Sequence, residues 1–210
     1  MNRIEDDWDK SETKLQMTGL LLVGGNSSRM GRDKAFLEIR GIPVLKKSLK
    51  VLSGVFAEVL ISARDGEMYE EFGFKVVKDL FPGKGPLSGI YSGLQASNYN
   101  YVFAAACDMP FLSPEAIIKL AGETEDYDLV MPYASGRLHP LHAFYHQRLQ
   151  GTAFKHLREG RLSLSALAGE SNTKIFRFEE YAGSLTNVNT PEEWNEIRNH
   201  MERMKEDEEN

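Results

Sequence analysis

Thr18-Gly19-Leu20-Leu21-Leu22-Val23-Gly24-Gly25-Asn26-Ser27-Ser28-Arg29-Met30-Gly31-Arg32-Asp33-Lys34-Ala35 is the stretch on which the reading of this chain turns. A short apolar run, Thr18–Val23, ends at paired glycines, which predicts a strand buried on both faces followed by a sharp turn. Glycine lets the backbone bend tightly and bring its N–H groups close to an anion. Three cations, Arg29, Arg32 and Lys34, follow within six positions and suit phosphate. A Walker A loop would place Lys and a hydroxyl residue directly after its last glycine, whereas Gly31 is followed by Arg32. The spacing is not GxGxxG either. A solvated basic turn is the plainer reading, and the density of glycine, serine and cation favours phosphate binding over it.

Working outward, apolar clusters of two kinds alternate. Val44–Val55 has helical spacing through Val44, Leu45, Ser48, Leu49 and Leu52. Glu58–Ser62, Phe74–Lys78, Tyr101–Cys107, Asp128–Met131, Leu141–Tyr145 and Lys174–Phe178 read as strands. Leu87–Ala96 and Gln147–Leu157 read as helices. Ser113-Pro114-Glu115 and Thr190-Pro191-Glu192-Glu193 are helix starts, with a capping hydroxyl and proline at the first helical position. The second helix should run toward Arg203. Strands alternating with helices predict one α/β domain, Rossmann-like and three-layered, with a mainly parallel central sheet. Ligands of such sheets sit at the carboxyl ends of the strands. The turns after Val23, Ser62, Lys78, Cys107 and Met131 are therefore the places to look.

Composition narrows the function. The chain has 210 residues, a formal charge of −6, 41 % apolar and 27 % charged residues, and one cysteine. A single Cys107 cannot build a disulfide framework or a Cys-rich zinc module. Apolar runs such as Val102–Cys107 fall far short of the roughly 20 residues that span a bilayer. The acidic start of the chain lacks an apolar signal region, so a cytoplasmic protein without membrane contact is expected. The excess acid sits in residues 1–14 and 190–210, leaving the body nearly neutral. That suits a small polyphosphate and offers no broad basic face for nucleic acid.

Three further segments carry candidate chemistry. Cys107-Asp108-Met109-Pro110 puts a carboxylate at the end of a buried strand, either to hold a hard cation or to start a turn. Asp79 through Ile90 is rich in Gly and Pro, an exposed loop leading into a helix N-terminus. Arg137-Leu138-His139-Pro140-Leu141-His142-Ala143-Phe144-Tyr145-His146 holds three of the five histidines. Zinc is a weak reading there, because the segment reads as a strand and no cysteines join it.

GGNSSRMGRDKA resembles the signature loop of the nucleotidyltransferases of molybdenum cofactor biosynthesis, GG-x-S-x-RMG-x-DKA after a Leu/Val-rich strand. Gly24, Gly25, Ser27, Arg29, Met30, Gly31, Asp33, Lys34 and Ala35 match, and Val23 replaces the usual alanine or leucine. C-D-M-P-F-L at Cys107–Leu112, N-x-N-T-P at Asn187–Pro191, D-x-x-x-G-x-GPL-x-GI at Asp79–Ile90 and HPL-x-A-x-Y at His139–Tyr145 resemble further segments of the same family. The resemblance covers about residues 18–200 and implies a nucleotide-diphospho-sugar-transferase-like fold. Composition sets the domain over 15–201, between a polar leader, 1–14, and a charged tail, 202–210, both expected to fray.

The resemblance also implies roles. Lys34, Arg29 and Asp108 would be catalytic, with Asp108 the ligand of Mg²⁺. Val23, Gly24, Gly25, Ser27, Gly31, Lys34, Arg64, Asp79, Gly85, Pro86 and Leu87 would bind GTP. Arg137, His139, Asn187 and Asn189 would face molybdopterin or the molybdenum cofactor. The family usually has S-A-N where this chain has Ser62-Ala63-Arg64, and an arginine donates only. The implied activity is transfer of GMP to the cofactor. Cytidylyl or sugar-phosphate transfer, and non-catalytic delivery of the cofactor, are the rival readings. A molybdoenzyme or a cofactor-delivery protein is the partner to expect.

Overall fold

A computed structural model of the chain describes residues 14–23, 38–39, 41–188, 190 and 192–197. Residues 24–35 of the glycine-rich segment, residues 1–13 of the proposed leader, the tail and Asn189 lie outside these residues.

β1 (Leu15–Leu22) is the pivot of the sheet. It pairs in parallel with β4 (Phe56–Ala63) on one side and with β6 (Tyr101–Ala106) on the other. β5 (Lys75–Lys78) extends the first side, parallel to β4. On the second side β9 (His142–His146) runs antiparallel to β6, and β7 (Leu129–Ala134) antiparallel to β9. β10 (Thr173–Arg177) closes that edge parallel to β7, and the short β8 (Arg137–Leu138) pairs with β7. The order is β10-β7-β9-β6-β1-β4-β5. The expected parallel core is present within a mixed sheet. A separate hairpin joins β2 (Glu38–Ile39) to β3 (Ile42–Pro43).

Side chains of β1 alternate between two cores, as period-2 geometry requires. Leu21 and Val23 pack with Leu45, Leu49 and Leu52 of α1 (Val44–Val55) and Ile117 and Leu120 of α3 (Pro114–Ala121). Leu20 and Leu22 pack with Leu87, Ile90 and Leu94 of α2 (Pro86–Ala96), Leu157 of α4 (Gln150–Glu159) and Leu167 of α5 (Leu164–Gly169). With both faces covered, the central strands read as unbroken apolar runs. This is the three-layer arrangement expected. No helix among the described residues is long and apolar enough to cross a membrane.

Helix starts follow their caps. Ser113 Oγ accepts from the Ala116 N–H at 3.2 Å. Thr190 Oγ1 accepts from the Glu193 N–H at 3.1 Å while Glu193 Oε2 accepts from the Thr190 N–H at 3.2 Å, a reciprocal capping box. The helix it opens is described over 192–197. One expectation needs correcting. Met131 is not followed by a turn, because β7 continues to Ala134 before the chain reverses. The reversal uses Ser135 (φ 51°) and Gly136 (φ 75°). Two successive positive φ angles match the twist of the β7–β8 pair.

Candidate active site

β4 and β5 follow β1 to one side and β6 lies on the other, so the strand order reverses between β1 and β6. A crevice at the carboxyl ends of such strands is where open α/β sheets take ligands. Three strand ends are tied together here. The Val23 N–H donates to the Ser62 carbonyl at 2.9 Å, and the Cys107 N–H to the Leu22 carbonyl at 3.1 Å. Asp108 therefore emerges beside the exit of β1, the point from which residues 24–35 depart. Gly24, Gly25, Ser27, Arg29, Gly31 and Lys34 lie outside the described residues, and only Val23 of that group is placed.

Asp108 is half-buried, after five buried residues of β6 and the buried Cys107. Its carbonyl accepts from the Val188 N–H at 2.9 Å, which brings Asn187 to the same strand end. Val188 is itself held in a small cluster with Val44 and Trp194. A buried valine and one backbone hydrogen bond thus hold Asn187 and Val188 against the end of β6. Among the described residues no three His, Cys, Asp or Glu side chains gather as a metal cage. One carboxylate is the donor set that suits Mg²⁺, which completes its shell with water and substrate phosphates.

The loop from β5 to α2 covers the other side of the crevice. The Asp79 N–H donates to the Ala63 carbonyl at 3.3 Å, and Ser62 Oγ donates to Asp79 Oδ1 at 2.8 Å. The Leu80 N–H donates to Ser92 Oγ at 2.9 Å and the Phe81 N–H to Ser88 Oγ at 3.1 Å. Ser88 and Ser92 are fully buried, one helical turn apart on α2. Sequence reading gave no role to any of the three serines. The S-x-x-x-S spacing of Ser88 and Ser92 in α2 was the available signal for those two.

α2 approaches the sheet closely because of its glycines. A Cβ on Gly89 would lie 2.6 Å from Leu22 Cδ2 and 2.7 Å from Ser62 Oγ. One on Gly93 would lie 2.4 Å from Leu20 Cδ2. Gly85 precedes Pro86 with φ 65° and ψ −161°, a conformation essentially reserved for glycine. Nothing lies within 4 Å of a Cβ placed there, so the cost of a side chain is backbone strain alone. Gly85→Ala is expected to cost about 1–3 kcal/mol, shared between global stability and closure of the loop. Urea unfolding and nucleotide titration of the variant measure the two parts, and wild-type values in both would contradict the prediction.

Arg64 is exposed, one residue past the end of β4. Arg137 is exposed on β8, and His139 follows it at 8 % exposure. The His139 N–H donates to the Pro132 carbonyl at 3.0 Å, and its Nε2 lies 3.2 Å from the Ala134 carbonyl. Burial pushes the His139 pKa down, against the pull of that carbonyl. The same segment starts β9, whose His142 pairs with Ala105. Arg137, His139 and Asp108 thus share the carboxyl edge of the sheet. His146 lies at the other end of β9, its ring edge-on to Tyr101 and its Nδ1 accepting from the Arg148 N–H at 3.0 Å.

A family model described as the MobA-like NTP transferase domain matches residues 19–173. A protein of Clostridium perfringens named probable molybdenum cofactor guanylyltransferase is 34 % identical over 192 residues, 87 % of this chain and 96 % of its own length. One of the same name from Pelotomaculum thermopropionicum is 42 % identical over 131 residues, covering 62 % of this chain and 64 % of its own. The solved structure of molybdopterin-guanine dinucleotide biosynthesis protein A from Archaeoglobus fulgidus superposes with a TM-score of 0.77 at 23 % identity, over 89 % of this chain and all of that one. A cytidylyltransferase for 2-C-methyl-D-erythritol 4-phosphate from Thermus thermophilus shares the fold, with a TM-score of 0.68 at 16 % identity, over 90 % of this chain and all of that one. The match begins on the pivot strand and runs through Asp79 and Asp108 to the far edge of the sheet, and the chain belongs to the MobA-like NTP transferases.

Proposed function

We propose that the protein transfers GMP from GTP to the terminal phosphate of molybdopterin, or of its molybdenum form, and releases pyrophosphate. The observation that carries this reading is the place of Asp108, at the strand-order reversal and beside the exit of the glycine-rich segment. Guanosine and the molybdenum cofactor come from the names of the relatives.

An oxygen of the acceptor phosphate attacks the α-phosphorus, the bond to the bridging oxygen of the β-phosphate breaks, and pyrophosphate leaves with that electron pair. No protein nucleophile is required. Catalysis comes from positioning and charge neutralisation. In this reading Lys34 and Arg29 pair with the phosphates, and the amides of the Gly24–Gly31 segment cradle them. Asp108 holds Mg²⁺, which when bound neutralises charge on the triphosphate. Arg64, Asp79 and the Gly85–Leu87 turn receive the nucleoside. Arg137, His139, Asn187 and Asn189 face the acceptor.

Pyrophosphate release with GTP, CTP and ATP, each with molybdopterin, tests the proposal. GTP is expected to be preferred by about tenfold or more, the discrimination that buried hydrogen bonds to one base supply. Preference for CTP would point to a cytidylyl enzyme. GTP binding without pyrophosphate release in the presence of acceptor would make the chain a delivery protein and overturn catalysis.

A further inference from the structure

Three serine hydroxyls fasten the segment after β5, and they do not do the same work. Ser88 and Ser92 accept from the backbone N–H groups of Phe81 and Leu80, so they fix the path of the chain. Ser62 alone engages a side chain, donating to Asp79 Oδ1. Ser62 is 2 % exposed, and α2 passes close to it at Gly89, where an added Cβ would lie 2.7 Å from its hydroxyl oxygen. Asp79 is only half-buried and accepts no other side-chain hydrogen bond among the described residues. One carboxylate oxygen is anchored and the other, Oδ2, remains as an acceptor at the edge of the crevice.

The strand register adds a second element. Ala63 pairs with Lys78, so Arg64 and Asp79 step off adjacent strand ends. A donor-only residue and an acceptor-only residue thus follow neighbouring strands. The base edge of guanine presents an acceptor, O6, beside two donors, N1–H and the 2-amino group. Cytosine and adenine offer a single amino donor each beside ring acceptors, and a carboxylate facing those acceptors would be repelled.

We infer that Ser62 is a positioning residue for nucleoside recognition: it locks one oxygen of Asp79 so that the other accepts from a donor of the bound nucleoside. This rests on the guanylyl reading above. The donor is either the N–H edge of guanine or a ribose hydroxyl, and analogues lacking each one distinguish them.

Calorimetric titration of the full chain with GTP, inosine triphosphate, 2′-deoxy-GTP, 3′-deoxy-GTP and ATP, all with Mg²⁺, tests it in wild type, Ser62→Ala, Asp79→Asn and the double variant. Wild type is expected to bind GTP about tenfold more tightly than the analogue lacking the relevant donor, as expected for a hydrogen bond to a charged group. Ser62→Ala should shrink that ratio several-fold while leaving the affinity for the analogue itself unchanged. In the Asp79→Asn background the same substitution should change nothing, since Ser62 acts only through that carboxylate. Ser62→Cys, of similar volume but a weaker donor, carries the test should the alanine variant lose its fold. A ratio that stays at the wild-type value in Ser62→Ala, or an effect that persists without Asp79, overturns the inference alone. Absence of a GTP preference over ATP in wild type overturns the guanylyl reading and the inference together.

Discussion

Asp108→Asn is expected to lower the rate of pyrophosphate formation by about 10³-fold or more, while the thermal midpoint moves by only a few degrees. The substitution keeps the shape of the side chain and removes its charge. The role proposed for the charge is drawn from where it sits. Val102 to Cys107 are all buried, and the chain then places a half-buried carboxylate at the tip of that strand. In the proposed reading that carboxylate would hold a hard cation arriving with the triphosphate. Asparagine offers an oxygen of far weaker basicity, so Mg²⁺-dependent affinity for GTP should fall along with turnover. Nucleotide affinity measured with chelator present should stay close to wild type. The Val188 N–H bonds to the main-chain carbonyl of Asp108, which asparagine retains. Loss of activity therefore reports the carboxylate rather than a displaced Asn187 segment. A variant that transfers GMP at the wild-type rate would remove Asp108 from the site.

Much of this architecture was legible because local and tertiary demands agreed. α1 occupies Val44–Val55, the span its apolar spacing predicts, since Leu45, Leu49 and Leu52 pack into the sheet core while Val44 packs with Val188 and Trp194. β1 and β6 were visible as apolar runs because helices cover both of their faces. The direction of β9 was not visible. His142–His146 reads as a strand, but whether it pairs parallel or antiparallel depends on how the chain returns. That return is set by the Ser135-Gly136 reversal and the β8 hairpin, a turn signal left unread. At the candidate site, Asp108 drew notice as a lone charge ending an apolar run, and the family resemblance favoured a cation ligand over a turn start there. Ser62 could not. Its partner lies 17 residues away and reaches it only because β4 and β5 are neighbours. Asp79 was readable as part of a loop pattern, while the hydroxyl that orients it was hidden in an ordinary strand end.

Acid is expected to unfold this protein through His142, and His142→Phe should remove much of that sensitivity. His142 is fully buried, edge-on to Phe103 with ring centroids 4.9 Å apart and near Phe178 at 6.2 Å. Neither ring nitrogen has a hydrogen-bond partner among the described residues. Burial, reinforced by the neighbouring His139, depresses its pKa from 6.5 to about 3. Above about pH 6.5 the imidazole is neutral in both folded and unfolded chains and stability is unaffected. As the pH falls below that value the unfolded chain takes up a proton that the folded chain refuses. Stability is then lost progressively until the pH reaches the folded pKa, by on the order of 5 kcal/mol for this one group. Phenylalanine cannot titrate and leaves no buried nitrogen unsatisfied. At pH 7 His142→Phe should therefore be more stable by about 1–3 kcal/mol, less whatever its slightly larger ring costs in packing. Urea unfolding at intervals from pH 7 to pH 4 measures both effects. The gap between variant and wild type should widen as the pH falls, because only the wild type carries the penalty. A constant gap would mean that the acid sensitivity resides in other groups, with His139 and His146, whose pKa values burial also lowers, the first to examine by the same substitution.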